Sequence, residues 1–208
     1  MPTTTLRRRA FVRLALFCLA AAPAEVRAAG SAVSAPIQQL YDALLAVMKA
    51  GSTISFSQRY DKLAPTIDAV FDLAGILQAS VGLSWGTMSA DQHATLLAAF
   101  RRYTIATYVA NFDAFNGQRF EVSPDTRALP NSDQVVTSRI VPASGDTHRL
   151  DYVMRQTNGS WRVVDVLAEG TISRVAVQRS DFRHLLMQGG SAALVVSLQS
   201  KAVQLAGG

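Results

Sequence analysis

The side chains able to do chemistry are few, and they are scattered. His93, His148 and His184 are far apart, with no pair three or four residues apart to put two imidazoles on one helix face. All three read as surface or boundary histidines, and neither a metal nor any other cofactor is implied. Gly189-Gly190 is not followed by the Lys-Ser or Lys-Thr pair of a phosphate-binding loop and reads as a break between helices. No serine is assigned a nucleophile's role. Asp165, in Trp161-Arg162-Val163-Val164-Asp165-Val166, is the one acid with two readings. A carboxylate on an apolar sheet can have its pKa raised and act as a proton-abstracting base, as in cone-shaped folds that isomerise steroids. The weightier reading is structural, with Asp165 pairing an arginine or capping a loop, because no acid–tyrosine constellation can be located around it.

The elements that would position these residues follow from periodicity. Ser34 and Pro36 suit the start of a helix in which Ile37, Leu40, Tyr41, Leu44, Leu45 and Met48 form an apolar stripe ending at Gly51. A second helical stretch covers about 55–63, interrupted near Pro65, and a third about 67–81, stopping at Gly82. Ser89 and Gln92 form a capping box that opens a long helix to about Phe112. After Asn116-Gly117 the period changes to two. Strand-like runs cover about 119–123, 134–141, 147–156 and 160–167, and Asn158-Gly159 marks a tight hairpin between the last two. Helix resumes over about 173–187 and, past Gly189-Gly190, through Leu194, Leu198 and Leu205. The order implies an α+β fold in which a curved four-stranded antiparallel sheet, an NTF2-like cone, and the helices before and after it enclose an apolar cavity.

Composition narrows the function. Apolar residues make up 49% of the 208 residues, enough for a sizeable core. The net charge of +5 is unevenly placed: Arg7, Arg8, Arg9, Arg13 and Arg27 stand against Glu25 in residues 1–28. Subtracting these leaves 15 basic and 14 acidic residues, a net charge of +1, too weak a field for nucleic-acid binding. Residues 1–28 read as a secretory signal, with a basic start, a short apolar run over 14–22 and Val26-Arg27-Ala28 at the cleavage site. Arg8-Arg9 also fits the twin-arginine route. Cys18, the only cysteine, lies in that apolar run, so the exported chain has no thiol chemistry. Residues 29–208 form one domain, mainly helical to 116, sheet over 117–168, then closing helices.

From about Ile37 to Lys201 the chain resembles the MlaC family of periplasmic phospholipid-binding proteins. The resemblance rests on Phe71-Asp72-Leu73, Gly82-Leu83-Ser84-Trp85, Ser89 to Gln92, Asn116-Gly117-Gln118, Gly159 to Val166, Gly170 to Ser173 and Arg179 to Phe182, in that order. The wording of Val135 to Val141, Tyr152 to Arg155 and Arg174 to Phe182 is most similar to the hopanoid-associated HpnM branch. The resemblance implies a periplasmic carrier, not an enzyme, that takes the apolar part of a phospholipid or hopanoid inside and leaves the polar head outside. Implied partners are an inner-membrane transporter, of MCE-domain/ABC or RND type, and an outer-membrane lipoprotein complex. The rival reading is a steroid-isomerase-like cone enzyme using Asp165 as base.

A lipid pocket must form where an apolar helix stripe faces the apolar side of the sheet. The expected wall is therefore Tyr108 and Phe112 from the long helix, Val136, Ile140, Tyr152, Met154 and Trp161 from the sheet, and Val175, Phe182 and Leu186 from the closing helices. Strand parity stays open, because Val153 and Val164 make the opposite face partly apolar too.

Overall fold

The computed structural model describes residues 24–207. Most of the expected signal segment, including its twin-arginine pair, its apolar run and Cys18, lies outside them. The helices are α1 (Ala24–Ala50), α2 (Phe56–Val70), α3 (Leu73–Val81), α4 (Ala90–Asn111) and α5 (Arg174–Ala206). Between α4 and α5 lie β1 (Arg119–Ala128), β2 (Gln134–Val141), β3 (His148–Thr157), β4 (Ser160–Ala168) and β5 (Ile172–Ser173). They form one antiparallel meander in the order β1-β2-β3-β4-β5. The sheet thus has a fifth, two-residue strand beyond the four expected. No helix among the described residues is long and apolar enough to cross a membrane.

Two prolines that read as helix boundaries lie inside helices. Pro36 sits within α1, which begins upstream of Ser34, and Pro65 within α2. Proline leaves the carbonyl four residues earlier without its helical partner. Those carbonyls belong to Ala32 and Asp61, both exposed, where water can satisfy them. The buried side of α2, Leu63, Ala64, Ile67 and Val70, continues past Pro65 undisturbed.

The chain breaks instead at Phe71-Asp72, where the edge of β4 captures it. Phe71 is extended and bridges Val163 in parallel, and the Asp72 N–H donates to the Val163 carbonyl at 2.9 Å. The Asp72 carboxylate then caps α3 by accepting from the Gly75 N–H at 2.9 Å. The capping box of α4 is complete: Ser89 Oγ accepts from Gln92 N at 3.2 Å, and Gln92 Oε1 accepts from Ser89 N at 2.8 Å. The β3–β4 hairpin turns through Asn158 and Gly159 at φ 52° and 80°, the left-handed pair that a two-residue turn requires. α5 is kinked at Gly189-Gly190, and Gly190 adopts φ 63°, ψ −157°, a conformation essentially confined to glycine.

The core is continuous. Ile37, Leu40, Tyr41 and Leu44 of α1, Leu96 and Phe100 of α4, and Leu194 and Leu198 of α5 are all at most 1% exposed and belong to one cluster with Val136, Tyr152, Met154 and Val163 of the sheet. β4 carries a bulge where β3 passes from Val153 to Met154: Val153 pairs with Asp165 and Met154 with Val163, leaving Val164 as the extra residue.

Candidate functional site

A cavity of about 310 Å³ lies between α4, the sheet and the first arm of α5, with the α2–α3 junction at one end. Phe100 and Tyr108 of α4, with Phe112 at its C-cap, line it. The sheet contributes Leu150 and Tyr152 from β3 and Val166 and Ala168 from β4, and α5 closes it with Val175. Phe71, Leu73, Ile76 and Tyr103 complete the apolar and aromatic lining. The aromatic rings form a connected wall. Phe71 meets Tyr108 at 5.5 Å between centroids, Tyr108 stacks on Phe112 at 6.0 Å, and Phe112 meets Phe120, on which Tyr41 stacks at 4.4 Å.

Beneath this wall runs a directed hydrogen-bond chain. Ser138 Oγ donates to the Leu150 carbonyl at 3.0 Å, which commits its only proton. The Tyr41 hydroxyl, 2.5 Å from Ser138 Oγ, must therefore donate to it, and the Tyr152 hydroxyl, 3.1 Å from Tyr41, must donate to Tyr41. Burial pushes the pKa of Tyr41, Tyr108 and Tyr152 upward. Tyr108 keeps some accessible surface because it borders the cavity, yet protein surrounds it closely enough for burial to dominate. These phenols stay protonated and neutral at ordinary pH.

Of the expected wall, Tyr108, Phe112, Tyr152 and Val175 line the cavity. The other six lie elsewhere. Val136 and Met154 are fully buried in the core cluster that also holds Ile37, Leu40 and Tyr41 of α1. Phe182 packs edge-on against Phe100 at 6.3 Å. Ile140 pairs with Phe120 on β1, Trp161 lies at the hairpin end of β4, and Leu186 is half-buried further along α5. The bulge at Val164 changes the parity of β4: odd-numbered Val163 faces the core on one side of it, and even-numbered Val166 and Ala168 face the cavity on the other. A simple alternation cannot be right along the whole of β4.

Reasoning from sequence missed the polar part of the lining: Thr104, Thr107 and Asn111 on α4, Arg174 and Gln178 on α5, and Asp165. A signal existed, since residues 100, 104, 107, 108 and 111 fall on one helical stripe. Asp165 caps the start of α5. One of its oxygens accepts from Val166 N at 2.8 Å and Val175 N at 3.1 Å, and the other from the Ser173 hydroxyl at 2.5 Å. This is the arrangement of a cap, with both oxygens engaged, and not that of a free base.

Gly82-Leu83-Ser84-Trp85-Gly86 matches the letters of a serine-nucleophile turn. It folds as a 3₁₀ turn after α3, not as a strand-to-helix elbow. The nearby His93 ring lies flat on Trp85 at 3.9 Å, and its Nε2 is 2.9 Å from the Trp85 carbonyl, to which it donates. No group of three or more His, Cys, Asp or Glu side chains able to hold a metal occurs among the described residues.

The family model described as MlaC protein matches residues 38–200. Among solved structures, the chain is similar to a phospholipid-binding protein from Ralstonia solanacearum determined in complex with a phospholipid. The TM-score is 0.72 at 22% identity, covering 84% of this chain and 98% of that one. The likeness extends to the α+β architecture, with helices before an open antiparallel sheet and a long helix after it.

Proposed function

The chain belongs to the MlaC family, whose members are lipid-binding carriers and not enzymes, and from that premise we propose that it is a periplasmic carrier holding the apolar part of a phospholipid in the cavity between α4, the sheet and α5. The observation that carries this reading is the cavity's lining, aromatic and aliphatic from four directions, with its few polar groups gathered on α4, the start of α5 and Asp165. Each methylene moved from water into such a lining contributes about 0.8 kcal/mol, so acyl chains supply the driving force without a catalytic group. Residues 1–28 would direct export, and the Ralstonia relative, bound to a phospholipid, supports the class of ligand.

In this role the chain receives its lipid from one membrane and delivers it to the other, through an inner-membrane transporter of MCE-domain/ABC or RND type and an outer-membrane lipoprotein complex. A hopanoid is the second cargo to weigh, favoured by the near-neutral charge of residues 29–208 and the HpnM-like wording. Native mass spectrometry of the protein purified without detergent tests the proposal. A bound species with the mass of a phospholipid is expected, a hopanoid mass would select the second cargo, and a lipid-free protein that also takes nothing from vesicles would overturn both.

A further inference from the structure

The polar groups at the cavity are not a random fringe. Three of them carry N–H donors: the Arg174 guanidinium, the Asn111 amide and the Gln178 amide. Arg174 is exposed at the first residue of α5, and no carboxylate lies within ion-pair distance of it among the described residues. Asn111 likewise makes no side-chain hydrogen bond among them. Gln178 Oε1 lies 3.1 Å from the Ser80 hydroxyl, whose one proton is also within reach of the Ile76 carbonyl at 2.8 Å, and the Gln178 N–H groups have no partner among the described residues. Asp165, the only carboxylate on the lining, has both oxygens engaged by the two backbone N–H groups and the Ser173 hydroxyl. Of the two charged groups on the lining, the carboxylate is engaged by three donors and the guanidinium has no ion-pair partner among the described residues, so the cavity is left with one unpaired positive charge beside amide donors. That is the complement of a ligand rich in acceptor oxygens and negatively charged.

Resting on the carrier reading above, we propose that Arg174, with Asn111 and Gln178 beside it, forms a head-group site that selects lipids bearing a phosphate diester over neutral lipids with the same chains. The Arg174 charge is felt at the Tyr108 hydroxyl, where it opposes the effect of burial, so its field reaches into the cavity. Arginine suits the task because its planar fork can give two parallel hydrogen bonds to phosphate oxygens. Its exposure keeps the head in water while the chains go inside, and it limits the gain: a charge-assisted contact at a wet rim is worth about a five- to tenfold preference.

The test loads the purified protein from mixed vesicles containing phosphatidylglycerol and diacylglycerol of identical acyl chains, and the bound lipids are counted by mass spectrometry. Wild type should favour phosphatidylglycerol by about five- to tenfold. R174Q should bring the ratio to within about twofold of unity through lost phosphatidylglycerol uptake, and R174K should retain a clear preference. R183Q, an exposed arginine further along α5 and away from the lining, should behave as wild type. Soluble glycerol 3-phosphate should not displace the lipid. An unchanged ratio in R174Q, or an equal fall in R183Q, overturns the head-group site and leaves the carrier reading standing. Displacement by glycerol 3-phosphate would make this a site for free phosphate and overturn it as well. Uptake of neither lipid by wild type would defeat the carrier reading and this inference together.

Discussion

If the cavity holds acyl chain, filling it from the wall should evict ligand without unfolding the protein. Val166 is suited to this because it lines the cavity, pairs with Tyr152 across β3 and β4, and is only partly buried. Val166→Trp adds about seven non-hydrogen atoms, which would displace about four chain methylenes from the lining. At about 0.8 kcal/mol each, the loss is about 3 kcal/mol, or about two decades in affinity. The indole would fill part of the cavity beside Tyr152 and the Tyr108–Phe112 stack, so the melting temperature should hold or rise. The assay is titration of a fluorescent phosphatidylglycerol into V166W and wild type, with a thermal melt of each without lipid. A V166W protein that melts like wild type and binds within threefold of it would refute the placement of the chains in this cavity.

Three further outcomes follow from the same geometry. In the Tyr152→Tyr41→Ser138→Leu150 chain, Tyr41→Phe leaves the Tyr152 hydroxyl without its acceptor and should cost about 1–3 kcal/mol in urea denaturation. Tyr152→Phe leaves the Tyr41–Ser138 bond intact and should cost about 1 kcal/mol, and the double variant should cost less than the sum. Asp165→Asn puts an amide N–H₂ among three donors at the start of α5 and should lower stability by about 1–3 kcal/mol with lipid occupancy intact; lost occupancy in a folded D165N protein would contradict the capping role. Hydrogen bonds from Arg155 at 2.7 and 3.0 Å, above all, and from Asn131 hold the Asp133 carboxyl below the usual carboxylate range. Its contribution is therefore full above its unfolded value near about 4 and is lost as pH falls through the lower folded value. Asp133→Asn should flatten that part of the acid-stability curve measured by urea denaturation, and an unchanged curve would show that the pair contributes nothing.

The local steps of this fold are legible in the residues themselves because they depend on neighbours a few positions away. Ser89 and Gln92 announce the start of α4, Asn158-Gly159 demands a left-handed turn, Gly189-Gly190 breaks a helix, and the change of period after Asn116-Gly117 marks where helix yields to sheet. The apolar stripe of α4 likewise points Tyr108 and Phe112 at the sheet. Three things were settled only by distant parts of the chain meeting. The break in the helical run at Phe71-Asp72 depended on Val163, far along the sequence, offering a carbonyl. The bulge at Val164 reversed which residues of β4 face inward, a change of parity that no alternation reveals. The boundary between hollow and solid was decided last: Met154 and Tyr152 are two residues apart on the same strand, yet one is sealed in the core and the other borders the cavity. Both are apolar, inward and buried, and a void is defined by what fails to cover a side chain, which is a property of the packing around it and not of the residue.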